Sequence, residues 1–108
     1  MKLFDLTGKN AIVFGGAGGL GQVIAQGLAE AGARVAISSR NKDSLKRAQE
    51  EIKKGTGLEV AYYVTDATKE DQVEAVCKKS IKDFGKVNIL VNAQGFNKKF
   101  PGTEFPEH

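Results

Sequence analysis

Five glycines fall within a seven-residue stretch, Gly15–Gly21 (GGAGGLG), between a short apolar run and an amphipathic segment. The apolar run Asn10–Phe14 (NAIVF) predicts a strand that is buried on both faces. The amphipathic segment predicts a helix from Leu20 to Ala31. A strand that turns directly into a helix exposes the first backbone N–H groups of that helix, and glycine lets a bound group approach them closely. The stretch therefore indicates a loop that binds phosphate groups.

Two kinds of phosphate-binding loop have to be compared. A P-loop places Lys and then Ser or Thr after its last glycine, whereas Gln22 and Val23 follow Gly21 here, so an ATPase or GTPase is disfavoured. The second kind is the G-x-G-x-x-G loop of dinucleotide-binding folds. The loop in this chain is interpreted as an imperfect match to that pattern with its usual side chains. The position of the loop between a strand and a helix nevertheless favours a bound diphosphate. The alternative is a tight turn that binds nothing.

A basic residue follows the second predicted strand, Arg34–Ser39. In dinucleotide-binding folds an acidic residue at this place binds the ribose 2′-hydroxyl of NAD, while an arginine accommodates the 2′-phosphate of NADP. Arg40 occupies the place here, and no acid stands at positions 38 to 40. A guanidinium binds phosphate through two hydrogen bonds, and the Ser39 hydroxyl is expected to add a third. These residues predict that NADP(H) is preferred over NAD(H), and the alternative is an ordinary surface arginine.

The rest of the chain repeats the alternation of strand and helix. Helices are predicted over Asp43–Lys54 and Lys69–Phe84, and further strands over Leu58–Val64 and Val87–Asn92. A β-α-β-α-β-α-β order implies parallel strands joined by right-handed crossovers. The fold class predicted from this alternation is α/β with a parallel sheet.

Helical periodicity also predicts which side chains face the sheet. In the first helix they are Leu20, Val23, Ile24, Gly27, Leu28 and Ala31; in the second, Leu45, Ala48 and Ile52; in the third, Val73, Val76, Cys77, Ile81 and Phe84.

Three motifs in this order resemble the N-terminal, cofactor-binding half of the short-chain dehydrogenase/reductase family, over essentially the whole chain. The family loop T-G-x-x-x-G-[IL]-G aligns with Phe14–Gly21, its acidic residue after the third strand with Asp66, and its N-N-A-G with Asn92–Gly95. The resemblance implies a three-layer Rossmann-type (doubly wound) parallel sheet, truncated to about four strands in the order 3-2-1-4, with the first two helices on one face and the third on the other. It also implies that the glycines shape a turn over the cofactor diphosphate and that Asp66 binds the adenine amino group. For Asp66 the alternative is a turn acid before the third helix. The predicted cofactor-binding residues are Gly15, Gly18, Gly19, Leu20, Gly21, Ser39, Arg40, Asp66, Ala67, Asn92, Ala93 and Gly95.

The chain departs from the family pattern at three positions. Phe14 stands where the family has a threonine whose hydroxyl braces the first strand against the N-N-A-G segment, so that brace is expected to be lost. Ala93 and Gln94 replace the second Asn and the Ala of that segment, and the larger Gln94 is expected to crowd the adenosine side of the site. These departures bear on cofactor affinity more than on the fold.

The residues that perform the family's chemistry are not found in this chain. The family uses a tyrosine acid with a lysine four residues on, whereas Tyr62 is followed at that spacing by Asp66, and Tyr63 by Ala67. No catalytic residue is therefore assigned, and the chain alone is predicted to be inactive. The resemblance implies a parent oxidoreductase that moves hydride between NADP(H) and a hydroxyl or carbonyl substrate, such as a sugar acid like gluconate or a 3-oxoacyl thioester. The alternative is a non-catalytic NAD(P)-binding or sensor module.

Composition limits the remaining possibilities. The chain has 108 residues, a net charge of +3, one cysteine and one histidine. The weak charge disfavours a nucleic-acid partner, and the single histidine disfavours a multi-histidine metal site. No apolar segment predicts a signal peptide or a membrane span, so a cytoplasmic location is expected. Residues 1–95 are assigned to a dinucleotide-binding half-domain and residues 96–108 to the start of a truncated segment. The chain is interpreted as a fragment or an engineered truncation of a longer enzyme. That parent enzyme is expected to form a homo-oligomer.

Overall fold

The computed structural model describes residues 5–93, which form one parallel sheet flanked by helices. The strands lie in the order β3-β2-β1-β4, which confirms the predicted topology. The elements along the chain are β1 (Asn10–Phe14), α1 (Gly19–Glu30), β2 (Arg34–Ser39), α2 (Lys42–Thr56), β3 (Ala61–Val64), α3 (Glu70–Phe84) and β4 (Ile89–Asn92).

The helices divide between the two faces of the sheet as predicted. Small and branched residues of α1 and α2 pack with Val13 and Ile37 on one face, which is called the α1–α2 side below. Val76 of α3 packs with Ile12 and Phe14 on the other face, the α3 side. All five residues of β1 are buried, because this central strand is covered on both faces.

The face that helix α1 turns to the sheet agrees only in part with the predicted one. Gly21, Ala25 and Ala29 are the buried residues, while Val23 is 67% exposed and Leu20 is 44% exposed. Small residues four positions apart let the helix backbone approach the sheet closely, so the larger Leu20 and Val23 lie outside the contact. The prediction was right for Ile24 and Leu28, which pack against the core, and wrong for Leu20 and Val23. In α2, by contrast, Leu45, Ala48 and Ile52 are buried as predicted.

Two further boundaries and contacts differ from the predictions. Strand β3 begins at Ala61 rather than at Leu58, since the Val60 carbonyl accepts a hydrogen bond from Gln49 Nε2 of α2 at 2.7 Å. Helix α2 runs to Thr56 and ends at Gly57, whose φ of 76° is left-handed.

On α3, Ile81 was predicted to face the sheet but is 50% exposed. Cys77 is half-buried against the α3 side.

Tyr63 lies in the α3-side cluster and gives that cluster a pH dependence. Burial raises the pKa of Tyr63 above its ordinary value of 10.0, and so does the 2.7 Å hydrogen bond that its hydroxyl donates to Asp83 Oδ2. The unfolded chain therefore releases this proton at a lower pH than the folded chain does. The contribution of the protonated tyrosine to stability is complete below pH 10.0 and is lost as the pH rises through the folded pKa.

We expect the free energy of unfolding to fall less steeply above pH 10.0 in Tyr63→Phe than in the wild type. Urea unfolding at neutral pH and at several alkaline pH values measures the difference. Tyr62→Phe, which removes a hydroxyl from the adjacent position of β3, is the matched control. Equal alkaline slopes in the wild type and Tyr63→Phe would contradict the prediction.

Candidate functional site

The predicted site residues come together along one edge of the sheet. Because the strands are parallel, the segments that follow them all lie at their carboxyl ends. The glycine loop follows β1, Arg40 follows β2, Asp66 lies two residues beyond β3, and Ala93 follows β4. The strand order reverses between β1 and β4, and ligands of open α/β sheets bind outside the carboxyl ends at such a point.

The glycine loop has a backbone that other residues rarely adopt. The φ angles of Gly15, Gly18 and Gly19 are 79°, 89° and 57°. Gly18 is the N-cap of α1, no side chain caps this end, and the first turn has no acidic residue. The first backbone N–H groups of α1 therefore have neither an intrahelical partner nor a side-chain cap, and with the helix dipole they favour a bound anion.

Gly21 is required by close packing within the loop. A Cβ atom at this position would lie 1.8 Å from the carbonyl oxygen of Gly15 and 2.7 Å from its carbonyl carbon. Both atoms belong to the backbone, which cannot move aside as a flexible side chain can. The loop can therefore fold back over the first turn of α1 only because residue 21 lacks a side chain.

Gly16 is a residue of the glycine loop that close packing requires and that the sequence analysis did not single out. A Cβ here would lie 2.7 Å from Ile37 Cγ2 and 2.8 Å from Ile37 Cβ, in the middle of β2. The signal that identifies it is the spacing of Gly16, Gly18 and Gly21, which does match G-x-G-x-x-G. The interpretation of this spacing as imperfect was therefore wrong.

Backbone hydrogen bonds fix the loop against the end of β2. The N–H groups of Gly15 and Gly16 both donate to the carbonyl oxygen of Ser38, at 2.7 and 3.3 Å. Ser39 and Arg40 follow directly, so they start from the same point on the sheet edge. The Ser39 hydroxyl accepts a 3.2 Å hydrogen bond from the Asn41 N–H, while the Arg40 side chain is exposed. A ligand on the loop would thus meet an exposed guanidinium beside it.

Asp66 is held on the same edge by a turn of its own. The preceding residue, Thr65, donates its N–H to the Ser39 carbonyl oxygen at 2.7 Å. Asp66 Oδ1 accepts from the hydroxyl and the N–H of Thr68, at 2.6 and 2.9 Å. These two bonds lower the pKa of Asp66, and the positive charges of Arg40 and Lys69 lower it further. The carboxylate thus has the structural role that the sequence left open as an alternative, and it is ionised at neutral pH.

The end of β4 is joined to β1 through the backbone. The Ala93 N–H donates to the carbonyl oxygen of Phe14 at 2.9 Å. Phe14 is 3% exposed and its ring packs on the α3 side. The ring therefore does not project into the site at the carboxyl ends of the strands. A main-chain contact therefore joins the two strands where the family has a threonine hydroxyl. Gln94 and Gly95 lie outside the described residues.

The remaining predicted residues differ in their accessibility. Leu20, in the first turn of α1, and Asn92, at the end of β4, are exposed, whereas Ala67 is half-buried against the α3 side. Ala93 is 1% exposed, and its methyl group belongs to the α1–α2 core. Ala93 would therefore meet a ligand through its backbone.

Residues 5–93 contain neither a candidate metal site nor a membrane-spanning helix. Across this range no three side chains of His, Cys, Asp or Glu are grouped closely enough to hold a metal ion. None of the helices described there has the length and apolarity needed to cross a membrane.

Comparison with known proteins adds to this geometry. The sequence profile of the family described as short chain dehydrogenase matches residues 9–108. The 5-keto-D-gluconate 5-reductase of Escherichia coli (strain K12) is 32% identical over 105 residues, which are 97% of this chain and 41% of the relative.

Solved structures with the same fold include one complex with NADPH and one with NAD+. An L-sorbose reductase from Gluconobacter frateurii, complexed with NADPH and L-sorbose, has a TM-score of 0.78 and 29% identity over 96% of this chain and 40% of its own. An NAD+-bound xylitol dehydrogenase has a TM-score of 0.72 and 33% identity over 79% of this chain and 32% of its own. The chain thus spans well under half the length of these proteins.

Proposed function

Because the chain belongs to the short-chain dehydrogenase family, we propose that it forms the cofactor-binding part of an oxidoreductase that uses NADP(H). The observation that carries this proposal is the glycine loop at the carboxyl edge of the sheet, with an uncapped helix end above it and Arg40 beside it. The cofactor would supply the hydride, and this chain would hold and orient the cofactor.

The described residues fit a dinucleotide. A Cβ at Gly18 would meet no atom within 4 Å, which supports an open surface for a diphosphate beside the N-cap of α1. The N–H groups of the first turn of α1 would bind the diphosphate oxygens. The ionised Asp66 is a hydrogen-bond acceptor suited to the amino group of adenine.

The preference for NADP(H) rests on the charge at the end of β2. An acid at this position would accept from a ribose hydroxyl but would repel a 2′-phosphate. Arg40 instead offers a planar, exposed cation, and the neighbouring Asn41 caps α2 through a 3.0 Å bond from the Ser44 N–H. A 2′-phosphate would pair with this guanidinium.

For the whole protein we propose hydride transfer between NADP(H) and a hydroxyl or carbonyl substrate. The name of the Escherichia coli relative supports a sugar acid as the substrate class, with a 3-oxoacyl thioester as the alternative. On this proposal the catalytic side chains belong to a part of the protein outside residues 5–93, and a homo-oligomer is the proposed assembly.

The experiment that tests the proposal is calorimetric titration of the purified chain with NADPH, with NADH as the comparison. We expect saturable binding to one site, tighter for NADPH, together with a rise in the thermal unfolding temperature when NADPH is present. Circular dichroism establishes that the chain is folded before titration. A folded chain that binds neither dinucleotide would contradict the proposal.

A further inference from the structure

A second concave surface lies at the outer edge of the sheet, away from the glycine loop. Strand β3 is an edge strand, and β2 separates it from β1. Between this edge and α3 lies an open groove of about 570 Å³, which is called the β3 groove here. Its size falls within the range of small-molecule sites. Nothing in the proposed cofactor binding uses it.

The interior of the β3 groove is mostly apolar. Tyr63 and Val76, both at least nine-tenths buried, form part of its lining, and Val64 of β3 is 53% exposed at its margin. The Tyr63 hydroxyl is already bonded to Asp83, so the ring offers a hydrophobic surface. An exposed valine beside buried aromatic and branched side chains forms a surface that an apolar ligand would cover.

The charges at the groove are all positive. Lys42, at the start of α2, and Lys79, on α3, line it, and no acidic residue does. Within residues 5–93 neither lysine forms a salt bridge. The neighbouring carboxylates of Asp66 and Asp83 accept hydrogen bonds from Thr68 and Tyr63 instead. Lysines often protect an edge strand from pairing, but that role does not account for a groove of this size beside the strand.

We propose that the β3 groove is a second binding site, separate from the cofactor site, that takes a small amphipathic anion: an acyl or aromatic body with one carboxylate. The apolar body would lie against Val64 and Val76, and the carboxylate would lie between the two lysines. An added peptide strand fits less well, because β3 offers only four residues.

Titration of the ¹⁵N-labelled chain with decanoate, followed by NMR, tests this proposal. We expect saturable shifts of the amides of Thr65, Val76 and Lys79, with the glycine loop unaffected. Decanol, which has the same body without the charge, is expected to bind about tenfold more weakly. The complete absence of saturable shifts at up to ~1 mM decanoate would overturn the proposal.

A matched pair of lysine variants separates a built site from general attraction. Lys79→Glu is expected to weaken decanoate binding by about tenfold or more. Lys78→Glu makes the same charge change one residue earlier on α3, at an exposed position outside the groove lining, and is expected to change the affinity less than about twofold. Equal losses in the two variants would overturn the proposal, because they would show attraction to the net charge alone.

Discussion

Gly21→Ala is expected to abolish dinucleotide binding and to lower the free energy of unfolding by about 3 kcal/mol or more. The added methyl carbon would lie 1.8 Å from the Gly15 carbonyl oxygen, so the loop has to move away from the first turn of α1. That movement changes the backbone that would hold the diphosphate, and it also disturbs the bonds from Gly15 and Gly16 to Ser38. Urea unfolding and calorimetric titration with NADPH measure the two effects.

The matched control is Gly27→Ala in the same helix. A Cβ at Gly27 would meet no atom within 4 Å, and the residue lies inside α1. Alanine is favoured over glycine at such positions by about 1 kcal/mol, so this variant should be more stable than the wild type and should bind NADPH equally well. The same substitution is thus expected to act with opposite sign at two positions six residues apart in one helix. Wild-type stability and binding in Gly21→Ala would refute the steric argument.

Arg40→Asp is expected to reverse the cofactor preference, lowering the affinity for NADPH by about a hundredfold and raising that for NADH. The substitution removes the cation that would pair with the 2′-phosphate and places a carboxylate where a ribose hydroxyl could donate to it. Arg47→Asp, an exposed position on α2 with the same change of charge, controls for the net charge and should leave the preference unchanged. Titration of each variant with both dinucleotides gives the ratio.

The same variant offers a measurement that requires no cofactor. The charge of Arg40 contributes to the lowered pKa of Asp66, after the larger effect of the two bonds from Thr68. In Arg40→Asp the pKa of Asp66 should therefore rise, and NMR titration of its carboxyl group would detect the change. If Asp66 titrates identically in the variant and the wild type, the two side chains do not share the edge of the sheet as described. An unchanged NADPH-to-NADH ratio would separately refute the role proposed for Arg40.

Phe14 shows which part of a family departure the structure describes. From the sequence, the loss of a threonine hydroxyl predicts a weaker link between the first strand and the segment after the fourth. The backbone bond from the Ala93 N–H to the Phe14 carbonyl is independent of the side chain at position 14, so it is retained here. The aromatic ring packs in the α3-side cluster. The loss of the hydroxyl brace stays a prediction, because the rest of that segment lies outside the described residues.

The sequence by itself determined the order of the elements and the edge on which the site residues meet. Short apolar runs that alternate with amphipathic segments predict parallel strands joined by helices with right-handed crossovers. The buried face of α2 was also predictable. The apolar side chains of this helix, those of Leu45, Ala48 and Ile52, all fall on one face. These features follow from local composition and spacing, which a linear pattern contains.

Only the tertiary structure decided the contacts that depend on distances between elements. The exposure of Val23 and the need for a glycine at position 16, where a Cβ would meet the Ile37 side chain, each depend on how closely one element approaches another. Periodicity ranks side chains by hydrophobicity and assumes a uniform spacing between a helix and the sheet. Packing instead selects the face that allows the closest approach, and in α1 that face is centred on Gly21, Ala25 and Ala29.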